Sequence, residues 1–313
     1  MKLHKVFICC LCLFLPLIAR AGKNSAEPKF DGKKALTHIK EIVGLGPRYL
    51  KAEGHKKVIV YFQEQLTGKE GIWKIQSWEH AGAGGTSFLL SNLIYRINPK
   101  AKNRIIIGSH YDSRRFADKD PMQSHLPLTG ANDSGSGVAV MLELGRLLEK
   151  APLKKIGIDL IFFDGEEGEG DPKLPFFPIG SNYFVDKIHD YYPKRNPDLA
   201  IFVDMVCDSD LDLYMEKSSL DSAPEAVKAI WAIGSKLHKG IIPEPKYYMR
   251  DDHTALQQIG VKAILMIDFD FPYFHTAGDT LDKCSAKSLS AVGASIWGYL
   301  KGLEKGVYGP LPK

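Results

Sequence analysis

Apolar runs of strand length alternate with segments of helical period along most of this chain, and that alternation restricts the fold more than any other feature. Residues 158–163 and 199–206 are nearly unbroken runs of branched and aromatic side chains, the pattern of a strand covered on both faces. Residues 91–97, 104–109 and 261–267 read as further strands, the first two joined by the turn Asn98-Pro99-Lys100. Residues 135–149 place Val138, Met141, Leu142, Leu144, Leu147 and Leu148 on one helical face, and residues 34–43, 54–66, 223–237 and 286–303 repeat the helical spacing. This predicts an α/β fold: a single domain with a central mixed, mostly parallel sheet flanked by helices on both faces. No repeat, low-complexity tract or linker divides residues 34–313.

Residues 1–21 are built differently. Lys2 and Lys5 precede an apolar run over residues 6–18, and Ala19-Arg20-Ala21 supplies the small-x-small triplet of a cleavage site. The run is shorter than the roughly 20 residues a bilayer crossing needs, which favours a cleaved secretory signal over a retained anchor. The expectation is an exported protein, periplasmic or secreted, with residues 22–33 as a flexible lead-in and no membrane contact after cleavage. Taking Lys2, Lys5 and Arg20 from the 41 basic residues leaves 38 against 37 acidic, a formal charge of +1 rather than +4. No basic stripe for a nucleic-acid partner remains. Cys9, Cys10 and Cys12 leave with the leader, and the spacing of Cys207 and Cys284 argues neither for nor against a disulfide. With no CxxC pair left, a thiolate zinc site is excluded.

The chemistry lies in where the acids and histidines fall. His110 and Asp112 follow one strand, Glu166 and Glu167 a second, Asp204 ends a third and His275 follows a fourth. Asp133 sits in Gly130-Ala131-Asn132-Asp133-Ser134-Gly135, a loop that opens a helix. In an open α/β sheet, groups at the carboxyl ends of the strands share one crevice. Taken singly, Asp133 also suits a helix N-cap, Glu166-Glu167 a solvated loop, and the two histidines ordinary surface or core positions. Asp204 is different, because the apolar residues on either side imply burial and a buried carboxylate needs a partner. Carboxylates crowded into one cleft raise one another's pKa, and a divalent cation resolves the conflict. Imidazole with carboxylates is a donor set suited to zinc.

His110-Tyr111-Asp112-Ser113, Gly130 to Gly137, Phe163-Asp164-Gly165-Glu166-Glu167, Gly180-Ser181 and His275-Thr276 follow in the order seen in the M28-type zinc peptidases and the related glutaminyl cyclases. The sequence resembles this family from about residue 34 to its end. The resemblance implies that Asp133, Glu167 and His275 hold zinc, with His110 and Asp204 completing a second site in the peptidases. One Zn2+ is expected for a cyclase and two for an aminopeptidase.

Arg250-Asp251-Asp252-His253 resembles the Asp-Asp-His of the cyclases, which makes Asp251 the additional carboxylate of a cyclase site. His110 to Arg114 with Phe116-Ala117-Asp118 is similar to a segment of the bacterial cyclases. Phe274 stands where the animal cyclases have Trp, and Leu265 where they have a second histidine. In the absence of a Trp after Glu167, Phe176 and Phe177 are candidates for the substrate wall or for plain packing of that loop. The implied reaction converts an N-terminal glutamine to pyroglutamate with loss of ammonia, Glu166 carrying the proton and Asp204 and Asp251 sharing it. The alternative is an aminopeptidase in which Glu166 activates water. Either enzyme acts, as an expected monomer, on peptides or proteins with a free N-terminal residue, glutamine being favoured.

Overall fold

The structure, a computed structural model, describes residues 27–68, 70–169 and 178–309. The leader, residues 22–26, Phe176 and Phe177 therefore lie outside the described residues.

Helices α1 (Gly32–Gly44) and α2 (Glu53–Gln65) come first, followed by the strands β1 (Gly71–Ala81), β2 (Ser87–Ile97) and β3 (Asn103–His110). Next come α3 (Gly135–Lys150), β4 (Ile156–Phe163), α4 (Ile179–Asp186), α5 (Ile188–Tyr191) and β5 (Leu199–Asp204). The chain continues through β6 (Leu213–Met215), α6 (Lys217–Ser222), α7 (Pro224–Gly234), β7 (Ile241–Pro245), α8 (Asp252–Gln258), β8 (Ala263–Ile267) and α9 (Ala286–Glu304).

Six strands form one mixed sheet in the order β1-β2-β4-β3-β5-β8. Strands β4, β3, β5 and β8 are parallel, while β1 and β2 run antiparallel at one edge. The turn at Asn98-Pro99-Lys100 does join β2 to β3, but the two are not partners, because β4 lies between them. Side chains alternate across the sheet as strand geometry demands. Ile105, Ile107, Leu160, Ile201 and Val203 pack with α1, α3, α7 and α9 on one face. Ile106, Ile161, Phe163, Ala200 and Phe202 pack with α4 and α8 on the other.

Strand β1 carries no alternation in the sequence because it is an edge strand with only Gln76 buried. The N-terminal lead-in packs sooner than its polarity suggests: Phe30 is buried where Gly293 leaves room for its ring, and Asp31 caps α1 by accepting from Lys33 N and Lys34 N. The helix expected over residues 223–237 starts with Pro224 in its first turn and stops at Gly234, which packs on Ile241.

One close approach positions the site. Helix α3 begins against the carboxyl end of β5, so that a Cβ at residue 137 would stand 2.0 Å from the Val203 carbonyl oxygen and 2.4 Å from Ser109 Oγ. Only glycine fits there. Gly137→Ala is expected to cost about 1–3 kcal/mol, read as a lower urea midpoint at constant m. Gly44→Ala, where nothing stands within 4 Å of the new methyl, is the control, with stability unchanged or slightly raised.

Candidate functional site

Because β3, β4, β5 and β8 are parallel, their carboxyl ends open on one edge, and the residues singled out above collect there. His110 closes β3 and Asp204 closes β5. Glu166 and Glu167 follow β4 and are buried rather than solvated. Asp133 is buried in the loop before α3, and the cap position of that helix belongs to Ser134, so Asp133 is free of capping duty.

Two triads result, His110 with Asp133 and Asp204, and Asp133 with Glu167 and His275, the donor atoms of each lying within 4.8 Å of one another. Asp133 is common to both: its Oδ1 is 3.2 Å from His110 Nε2 and its Oδ2 is 3.5 Å from His275 Nε2. His110 Nε2 lies 3.5 Å from Asp204 Oδ1, and His275 Nε2 lies 3.6 Å from Glu167 Oε2. Yet both ring nitrogens of His110, Glu167 Oε1 and Asp204 Oδ1 are buried without a hydrogen-bond partner among the described residues. Buried polar atoms that converge without satisfying one another are what a cation site looks like when its donors are aimed at a common point. Two carboxylates and one imidazole in each triad fit a divalent first-row metal.

The electrostatics agree. Burial, reinforced by the Asp133 charge, pushes Glu167 up to about 7. Burial also pushes Glu166 well above the usual carboxylate range, with the charges of Asp251 and Glu167 adding to the effect against His110. Asp251 rises to about 6 through burial and the Asp204 charge. Burial works to lower His110, but the carboxylates around it win and raise it.

Asp133, Glu166, Glu167, Asp204, Asp251 and His275 line a cavity of about 320 Å³, with His110 just behind them. Met205, Met249, Ile267, Phe269 and Phe274 form its apolar walls. Phe274 lies against His275, ring centroids 3.8 Å apart.

Residues 92–300 match the family model described as peptidase family M28. The chain belongs to that family. It is 33% identical over 285 residues to the glutaminyl-peptide cyclotransferase of Bothrops jararaca, an alignment that takes in 78% of this chain and 75% of that protein. Among solved structures it is similar to the glutaminyl cyclase of Porphyromonas gingivalis, with a TM-score of 0.81 and 27% identity over 87% of this chain and 98% of that one. It is similar in the same way to a Zn-dependent exopeptidase from Parabacteroides distasonis, with a TM-score of 0.80 and 26% identity over 87% and 98% of the two chains.

Sequence reasoning missed what holds the M28 loops in place. Asp279 accepts the backbone N–H of Asn132 at 2.8 Å and of Asp133 at 3.1 Å, which fixes the shared carboxylate. Arg48, fully buried, donates from its guanidinium to the carbonyls of Tyr111, Thr129 and Gly130. Asp112 accepts from Glu166 N and Glu167 N at 3.2 and 3.1 Å and sets the turn that presents both acids. Cys207 and Cys284 form a disulfide, and Cys207 N donates to Asn132 Oδ1 at 2.9 Å. No periodicity or spacing signals Asp279 or Arg48, since their partners are backbone groups on loops remote in sequence. Asp279→Ala strands two buried N–H groups and is expected to cost about 1–3 kcal/mol in urea denaturation.

Proposed function

We propose that this chain is a zinc-dependent glutaminyl-peptide cyclotransferase, converting N-terminal glutamine to pyroglutamate with release of ammonia. The observation that carries the reading is the place of Asp251, buried in the cleft on the same cavity floor as Glu166 and Asp204. A carboxylate flanked by other buried acids has its pKa raised toward the working pH, which suits a group that takes a proton from one nitrogen and returns it to another.

Asp133, Glu167 and His275 are the residues that would hold the zinc ion, which supplies a Lewis acid for an amide carbonyl. Glu166 takes a proton from the substrate's α-amine, whose lone pair forms a bond to the side-chain carboxamide carbon. The bond from that carbon to the amide nitrogen breaks, and Glu166 hands the proton to the departing ammonia. Both groups are already tethered in one residue, so closing a five-membered ring costs little entropy. Asp204 and Asp251 keep the carboxyl of Glu166 within reach of both protonation states. The apolar walls exclude water that would compete with the amine.

The disulfide between Cys207 and Cys284, together with the leader-like residues 1–21, supports export into an oxidising compartment. An aminopeptidase is the second reading, and the triad of His110, Asp133 and Asp204 is the observation in its favour, since it offers a second cation site sharing Asp133.

Incubation with Gln-β-naphthylamide is expected to yield ammonia, and Leu-β-naphthylamide to yield no free naphthylamine. Naphthylamine from the leucine substrate without ammonia from the glutamine substrate selects the peptidase. Glu166→Gln is expected to lower turnover by about 10²–10⁴-fold while zinc content, measured by elemental analysis, stays at the wild-type level. Loss of zinc in that variant would make Glu166 a ligand and not the base.

A further inference from the structure

Residues 114–120 run past two of the three proposed ligands and touch both. Arg114 acts as a fork: Nε and Nη2 donate to the two oxygens of Asp118, each at 2.8 Å, and Nη1 donates to Glu167 Oε2 at 3.0 Å. The other oxygen of Glu167, Oε1, stays buried and unpartnered among the described residues. Asp118 Oδ1 lies 3.3 Å from His275 Nδ1, a buried nitrogen without a hydrogen-bond partner among those residues.

Main-chain contacts pin the segment to the His275 turn on both sides of that meeting point. Lys119 N donates to the His275 carbonyl at 3.2 Å, and Asp120 Oδ2 accepts Ala277 N at 3.1 Å. The Lys119 ammonium sits 3.8 Å over the Phe274 ring. His275 itself holds a φ of 57°, in the left-handed region that a residue with a Cβ enters only when its surroundings insist. A residue in that conformation needs a fixed neighbour to aim its ring, and residues 114–120 supply it.

We propose that Arg114 and Asp118 are positioning residues for zinc retention, a role that rests on reading Asp133, Glu167 and His275 as the ligands. Arg114 donates to Oε2 of Glu167, the oxygen that lies nearer His275 Nε2, and so fixes the plane of that carboxylate in the cleft. Asp118 faces Nδ1 of His275, which selects the tautomer that presents Nε2 to the cleft. The Arg114–Asp118 ion pair joins the two actions, so neither residue does its work without the other. Arg114 to lysine is not conservative here, because an ammonium cannot bridge two carboxylates with a planar fork.

The test is zinc retention, read without any substrate. Wild type, Asp118→Asn, Arg114→Lys, the double variant and the neighbouring control Arg115→Gln are loaded with zinc and competed against a chromogenic chelator. The melting temperature of each metal-free protein is taken alongside. Each single variant is expected to bind zinc about 10–100-fold more weakly, with the metal-free melting temperature unchanged. The double variant is expected to lose little more than the worse single, because both substitutions cut one linkage. Arg115→Gln is expected to match wild type. Wild-type affinity in both single variants, additive losses in the double, or a loss that tracks a lower metal-free melting temperature overturns the proposal. A wild-type chain that takes up no zinc sinks the ligand reading itself. Failure to release ammonia from glutamine substrates sinks the cyclase reading and leaves this measurement standing.

Discussion

Asp133, Glu166, Glu167, Asp204 and Asp251 crowd together with the imidazoles of His110 and His275 at one edge of the sheet, and the repulsion among these carboxylates is the constraint the rest of the structure answers to. In a medium of low effective dielectric such charges cannot all persist unless something positive stands between them or some of them hold protons. The protein prepares for the first outcome in the two triads and for the second in Glu166 and Asp251, whose pKa values burial drives upward. One edge of one sheet thus carries both the candidate cation triads and the carboxyls whose pKa values rise.

Holding mutually repelling groups together requires anchors outside the cleft. Arg48 ties the start of the Asp133 loop to the residue after β3, Asp279 fixes the peptide of Asp133, and Asp112 fixes the Glu166–Glu167 turn. The Cys207–Cys284 disulfide joins the end of β5 to the entrance of α9 beside Asn132. Most of these anchors act on backbone groups rather than on the carboxylates of the triads, of which Glu167 accepts from Arg114 through Oε2. The cost of burying the anchors is met by hydrogen bonds rather than by exposure, as the guanidinium of Arg48 shows, each of its three nitrogens donating to a carbonyl.

Cyclase and peptidase readings draw on the same residues, and what separates them is the company Glu166 keeps. With Asp251 and Asp204 lining the same cavity, its carboxyl sits among other buried acids. Apolar side chains from Met205 to Phe274 line the cavity of about 320 Å³ beside these acids. The family includes both chemistries in similar frames, as the cyclase and exopeptidase structures attest.

The fold class was legible in the sequence, because strands buried on both faces must be apolar runs, and the polar residues that interrupt their ends stood out as candidates for one cleft. Residues 158–163 and 199–206 announced their strands in this way, while Asp133, Glu167 and His275 were singled out as ligands by the family resemblance of their motifs. Strand β1 was not legible, since an edge strand with only Gln76 fully buried and Trp73 and Trp78 half-buried carries a weak apolar pattern. The pairing of Cys207 with Cys284, the grip of Asp279 and Arg48, and the reach of residues 114–120 to His275 depend on which loops meet at the sheet edge. Spacing along a chain encodes local periodicity, whereas contacts between loops more than a hundred residues apart are decided only when strands take their order in the sheet.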